Sequence, residues 1–222
     1  TKYFNYVDED IKSGGSWDVY SLERVVVRQI GQIPVVGISK EKILASNTLY
    51  SVYPKDDAKT DLYFILGLLN CSLIKKFWVS NYSDSKLLFP KIKGYQLKSI
   101  PIIDCSHADQ LPLSILSKNR VSVTEKRLEM THAVTEFLIS KHSSLADSNP
   151  VKNWPELDFK GFLAELKKKK VKLSLEEEAE WMSYFNKKKA EATSLQAEID
   201  RIDREIDQMV YELYGLTQEE IE

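Results

Sequence analysis

The chain has 222 residues, a formal net charge of −2 and 43% hydrophobic residues, enough apolar material for a buried core in one or two domains. The charge excludes a uniformly basic nucleic-acid binder, so only the distribution of cations can point to such a partner. The longest apolar run, from Leu62 to Leu69, is shorter than the roughly 20 residues of a membrane-crossing helix, which excludes an integral helical membrane protein.

Along the first half of the chain, segments rich in β-branched and aromatic residues predict strands at Val25 to Ile30, Val35 to Ile38 and Thr48 to Tyr53. Gly14, Gly15, Gly31 and Gly37 punctuate them. Leu62, Ile65, Leu66, Leu69 and Leu73 then recur at helical spacing and predict one helix from about Asp61 to Phe77, capped by Thr60 or Asp61. A small sheet with a packed helix is the expected core. From Cys71 to Ile100 the bases Lys75, Lys76, Lys86, Lys91, Lys93 and Lys98 face one acid, Asp84, so this stretch is locally positive and could offer a face to phosphates. Tyr95, between Gly94 and Leu97, reads either as a plug in the core or as a ring near nucleic acid.

Beyond Asp104 the pattern turns helical, with a helix expected from about Ser122 to Ser140 and a polar loop from His142 to Asn149. Trp154-Pro155 opens a second helical region containing Phe159, Phe162, Leu163 and Leu166, and the lysine run 167–170 that follows reads as a solvated face. The clearest periodicity comes last. Leu195, Ile199, Ile202, Ile206, Met209 and Leu213 step by alternating fours and threes, and Phe185, Lys188 and Ala192 extend the register backwards. A helix from about Leu175 to Tyr214 is expected to pack along this seam, on a neighbouring helix or on another copy, with Gly215 as its left-handed stop. Thr217 to Glu220 fits a capping box for a further helix.

Catalytic signatures are lacking. None of the seven prolines forms the Pro-Pro pair of an adenine methyltransferase loop, and Gly14-Gly15-Ser16 lacks the lysine of a phosphate-binding loop. His107, His132 and His142 are not spaced as metal ligands, and Cys71 and Cys105 belong to no CxxC motif, so reduced thiols in the cytoplasm are expected. Glu156 with Glu165 and Lys167 superficially supplies the carboxylates of a metal-dependent nuclease, but in helical context rather than on adjacent strands. The chain is therefore not expected to be an enzyme by itself, nor to carry a metal or cofactor. It opens on Thr1 and reads as a segment of a longer polypeptide.

Two sets of residues carry a resemblance. Trp154-Pro155-Glu156-Leu157-Asp158-Phe159, Glu180-Trp181-Met182 and above all Val210-Tyr211-Glu212-Leu213-Tyr214-Gly215-Leu216 look like the C-terminal end of type IIG-like adenine-specific restriction-modification DNA methyltransferases. Upstream, Val25 to Gly31, Ser46-Asn47-Thr48-Leu49-Tyr50, Asn70-Cys71-Ser72, Phe89-Pro90-Lys91-Ile92 and Ser99-Ile100-Pro101-Ile102 resemble the TaqI-like C-terminal specificity domain, the target-recognition part of such bacterial enzymes. The resemblance implies an α+β fold, with a small mixed β-sheet target-recognition domain over 1–105 and, over 151–222, long helices forming a spacer or coiled-coil-like hairpin; residues 106–150 carry no motif of the family and read as a linker with a helix. It further implies double-stranded DNA as partner, a methyltransferase domain in the same polypeptide that uses S-adenosylmethionine, and a parent that acts in DNA methylation with or without endonuclease activity.

Specific reading of DNA needs cations on phosphates and forked polar groups on base edges. Arg28 and Gln29, at a strand end before Gly31, suit guanine and adenine and are the candidate base readers, the alternative being an Arg28 paired with Asp18 or Glu23. Lys75, Lys76, Lys86, Lys91 and Lys93 are the candidate phosphate contacts, and Asn81, Tyr82, Ser83 and Ser85 crowd a polar loop suited to specificity. Two other readings stay open: a helical assembly or scaffold module acting through the Leu195 to Leu213 seam, and a standalone nuclease using Glu156 and Glu165.

Overall fold

A computed structural model describes residues 20–41, 48–53, 60–82 and 90–221. The chain divides into two compact units, the first comprising Thr1–Lys118 with Glu205–Glu222 and the second Asn119–Arg204. Among the described residues, no single helix is long and apolar enough to cross a membrane.

The first unit is built on a sheet of β1 (Arg24–Arg28), β2 (Val36–Ser39) and β3 (Leu49–Val52) in the order β2-β1-β3. The α+β class holds, but the described strands pair only antiparallel, with Val26 opposite Gly37 on one side and Ser51 on the other, where a mixed sheet was expected. For β1 and β2 the short connection favours this arrangement, because a parallel pair needs a crossover of a dozen residues or more. Val25 and Val27, two apart on the central strand, are fully buried on one face. Helix α1 (Leu62–Asn70) lies against β1 and β2, burying Phe64, Leu66 and Leu68, and the Asn70 amide donates to the Val36 carbonyl at 3.4 Å.

The single helix expected from Asp61 to Phe77 is two helices, α1 and α2 (Ser72–Tyr82), meeting at a bend of 60°. Cys71 between them is extended, with φ −69° and ψ 160°. The hydrophobic stripe runs straight through this break, so the cause is not in the local pattern. Asp207, far along the chain, accepts from both the backbone N–H and the hydroxyl of Ser72 at 2.6 Å each, and so caps the second helix. The cap at the start of α1 is Asp61, which accepts from the N–H groups of Tyr63 and Phe64 at 2.8 and 3.2 Å and from the Ser114 hydroxyl at 2.8 Å. Burial works to raise the Asp61 pKa, but these donors and the charge of Lys118 outweigh it and hold the carboxyl below its usual range. Replacing Asp207 by alanine is expected to cost about 1–2 kcal/mol, the range for loss of a helix cap, measured by chemical denaturation; an unchanged midpoint would show that water replaces the carboxylate without loss.

Short helix α3 (Gly94–Lys98) follows, and then α4 (His107–Lys141), which starts well before the expected Ser122. Pro112 lies inside it, and proline in a sequence argues against a helix interior. Tertiary bonds secure that first part nonetheless, since Gln110 Oε1 accepts from the Asp61 N–H at 2.8 Å.

The second unit has an aromatic core of Trp154, Phe162, Phe185, Val134, Leu138 and Leu166. The supposed loop after His142 contains the 3-10 turn Ser143–Leu145 and helix α5 (Asn149–Lys152), and the 3-10 turn Trp154–Glu156 precedes α6 (Phe159–Lys168). Helix α7 (Leu175–Leu213) has nearly the predicted bounds. Within this unit α4 and α7 run antiparallel: Arg120 pairs with Asp203 at 3.0 Å, while Phe137 packs on Trp181 with ring centres 5.8 Å apart. Along the predicted seam Ala192, Ile199, Ile202 and Ile206 are buried, covered by the chain itself. Gly215, at φ 66°, ends α7: the N–H of Leu216 reaches the Tyr211 carbonyl and that of Gly215 the Glu212 carbonyl, both at 3.0 Å. At the start of α8 (Gln218–Ile221) the Glu220 carboxylate accepts from the Thr217 N–H at 2.9 Å and from its hydroxyl at 3.0 Å, which is one half of the expected capping box; the Glu220 N–H donates to the Thr217 carbonyl instead of the hydroxyl.

Candidate nucleic-acid interface

At the end of β1 the backbone carries two further pairings. Ile30 bridges to Lys91, the Gly31 N–H donates to the Pro90 carbonyl at 3.0 Å, and the Ile92 N–H donates to the Gln29 carbonyl at 2.8 Å. Segment 90–93 is thereby stitched alongside 29–31, which brings Arg28, Gln29, Lys91 and Lys93 to one end of the sheet. Ile92, fully buried between the two lysines, anchors the segment, and the Tyr50 hydroxyl donates to its carbonyl at 3.1 Å. Alternation about this buried residue turns Lys91 and Lys93 outward.

Arg28 is exposed, and among the described residues no carboxylate pairs with it. Glu23, one suggested partner, accepts instead from the Tyr63 hydroxyl at 2.6 Å, and Asp18 lies outside the described residues. The guanidinium lies over Gly31, where an added Cβ would come within 3.1 Å of its Nη2 and 3.3 Å of the Ile33 carbonyl oxygen. With φ at 156°, Gly31 both makes the turn and leaves the room that Arg28 occupies. Around these cations Ile30, Ile33 and Val35 are exposed, so the edge combines forked donors with apolar side chains, the two kinds of group that read base edges and thymine methyls.

The remaining candidates lie elsewhere. Lys75 and Lys76 are exposed on α2, but Lys76 donates to the carbonyl of Ile221 at 2.8 Å and so is turned toward the chain's own C-terminal segment. The side chain of Asn81 donates to the Phe77 carbonyl at 2.8 Å, and Tyr82 is held against Trp78 and the hydroxyl of Ser99. Ser83, Ser85 and Lys86 lie outside the described residues. Cys71 is buried, and burial pushes its thiol up to about 11, which leaves it protonated and unreactive at neutral pH.

One residue changes standing. Tyr95 is 63% exposed rather than a core plug, with the Lys93 ammonium 5.8 Å from its ring centre. The signal for it in the sequence was its setting, Lys91-Ile92-Lys93-Gly94, in which small and charged neighbours give a core ring nothing to pack against.

Comparison with known families matches residues 1–102 to the TaqI-like C-terminal specificity domain and residues 106–210 to a domain of unknown function (DUF8810). No curated protein and no solved structure matches the chain.

Proposed function

We propose that this chain, whose residues 1–102 match the TaqI-like C-terminal specificity domain, reads a DNA sequence for a restriction-modification adenine methyltransferase. The observation that supports the proposal is the backbone pairing that sets the Lys91–Lys93 segment alongside the end of β1, next to Arg28 and Gln29. Lys91 and Lys93 would neutralise phosphates and set the register, while Arg28 and Gln29 would fork onto guanine and adenine edges. Chemistry would fall to a methyltransferase domain of the same polypeptide, which would bind S-adenosylmethionine and flip the target adenine out of the stack. The assembly-module alternative used the α7 seam, of which Ala192, Ile199, Ile202 and Ile206 are buried within the chain while Leu195, Met209 and Leu213 are partly exposed. Of the two carboxylates of the nuclease reading, Glu156 pairs with Arg127 at 3.8 Å and Glu165 with Lys168 at 2.5 Å.

Binding-site selection followed by affinity measurement on single-base variants tests the reading. Arg28→Ala should cost about 1–3 kcal/mol and relax preference at one position, whereas Lys91→Ala should weaken all sequences alike and reduce the salt slope by about 1. A loss at Arg28 spread evenly over every sequence would remove it as a base reader, and an absence of salt-dependent DNA binding by the chain would end the proposal.

A further inference from the structure

Helix α6 closes on Lys167 and Lys168, Lys169 and Lys170 continue the run beyond its end, and Lys172 follows after buried Val171, giving five cations in six residues with no acid among them. Lysines in the last turn of a helix are unremarkable, since they oppose the negative end of its dipole. Lys167 and Lys168 stand in that turn, and Lys168 is neutralised by Glu165 at 2.5 Å. Lys170 is different. The Val171 N–H returns to the Leu166 carbonyl at 2.9 Å and the Lys170 N–H to the Lys167 carbonyl at 3.0 Å, which is the closing pattern that places its penultimate residue in the left-handed region. Glycine normally takes that position. Here Lys170 takes it at φ 61°, the one positive-φ residue other than glycine among the described residues, and α7 ends in the same pattern with Gly215. The chain thus accepts backbone strain at the tip of its lysine run, and such strain accompanies functional positions.

The neighbouring acids leave this tip unneutralised. Glu177 is occupied in capping α7, accepting from the Ser174 N–H at 2.7 Å, and among the described residues no carboxylate pairs with Lys167, Lys170 or Lys172. The Ser144 hydroxyl donates to the Lys169 carbonyl at 3.3 Å, holding the 3-10 turn after α4 against the run and fixing the backbone that displays these cations. We propose that Lys167, Lys170 and Lys172 form a second DNA contact in the helical unit, one that grips the phosphate backbone without regard to sequence. The choice of DNA as ligand rests on the reading of the specificity domain given above. The two sites divide the labour: base edges are read at Arg28, and affinity is supplied in part by a patch that carries no sequence information.

The test is fluorescence anisotropy of the 222-residue chain on two duplexes, one recovered by binding-site selection and one scrambled, across a salt series. Lys167→Gln/Lys170→Gln/Lys172→Gln should lower affinity for both duplexes by the same factor and make the log–log salt slope shallower by about 2–3. Lys170→Gly alone should flatten the slope by about 1 while raising Tm by roughly 2 °C through relief of strain, a pairing that a merely structural lysine would not give. If wild type and the triple variant bind alike while Arg28→Ala still shifts base preference, the patch is refuted and the specificity site stands. If the wild type binds neither duplex, or binds only anionic phospholipid vesicles, both readings fall.

Discussion

Replacing Trp154 by alanine should destabilise the helical unit by about 3–5 kcal/mol, the cost of truncating a fully buried indole and leaving its cavity open. Trp154 packs edge-on to Phe185 with ring centres 5.7 Å apart, and Phe185 in turn stacks on Phe162 at 4.9 Å, so the indole closes one end of a three-ring column. Its N–H donates to the Thr131 carbonyl at 3.2 Å, a group in a helix that already has an internal donor, which makes this bond secondary to packing. Trp154→Phe should therefore recover most of the loss. Chemical denaturation followed by far-UV circular dichroism checks both variants. If Trp154→Phe proved as damaging as alanine, the hydrogen bond rather than the ring would be the main contribution.

Gly67→Val should be nearly as severe, at or above about 3 kcal/mol, for the opposite reason. Gly67 is buried in α1 where it crosses α4: a Cβ placed there would stand 2.4 Å from the Ser117 hydroxyl oxygen and 3.2 Å from Leu113. The hydroxyl cannot easily turn away, because it donates to the Leu113 carbonyl at 2.8 Å. Gly67→Ala would gain roughly 1 kcal/mol of helix propensity and lose more to this clash. In a Ser117→Ala background the penalty of Gly67→Ala should shrink, and a double-mutant cycle measures that coupling. A stabilising Gly67→Ala in the otherwise unchanged chain would show that the two helices separate freely.

Neither substitution site is conspicuous in the sequence, and the reason is general to this chain. Features set by neighbours a few residues away were legible: the β-branched run at Val25–Val27, the seam of α7, the stop at Gly215 and the pairing of Thr217 with Glu220. Features set by distant partners were not. The break at Cys71 depends on Asp207, and the early start of α4 on Gln110 meeting Asp61. The candidate site divides in the same way. Residue chemistry singled out Arg28, Gln29, Lys91 and Lys93 individually, while their meeting depends on the bridge between Ile30 and Lys91. Nor could it foresee that Lys76 would turn to the Ile221 carbonyl.

The capping of α2 by Asp207 bears on how such proteins can be recombined. Besides that carboxylate, the C-terminal segment lends the hydroxyl of Tyr214, which donates to the Pro101 carbonyl at 2.6 Å and accepts from the Ile103 N–H at 3.2 Å. A specificity module excised at its family boundary near residue 102 would forfeit all of these bonds and expose the end of a helix. Exchanging one such specificity domain for another therefore calls for transplanting two pieces of chain, the N-terminal stretch and the tail that braces it, so that each graft arrives with its own buttress.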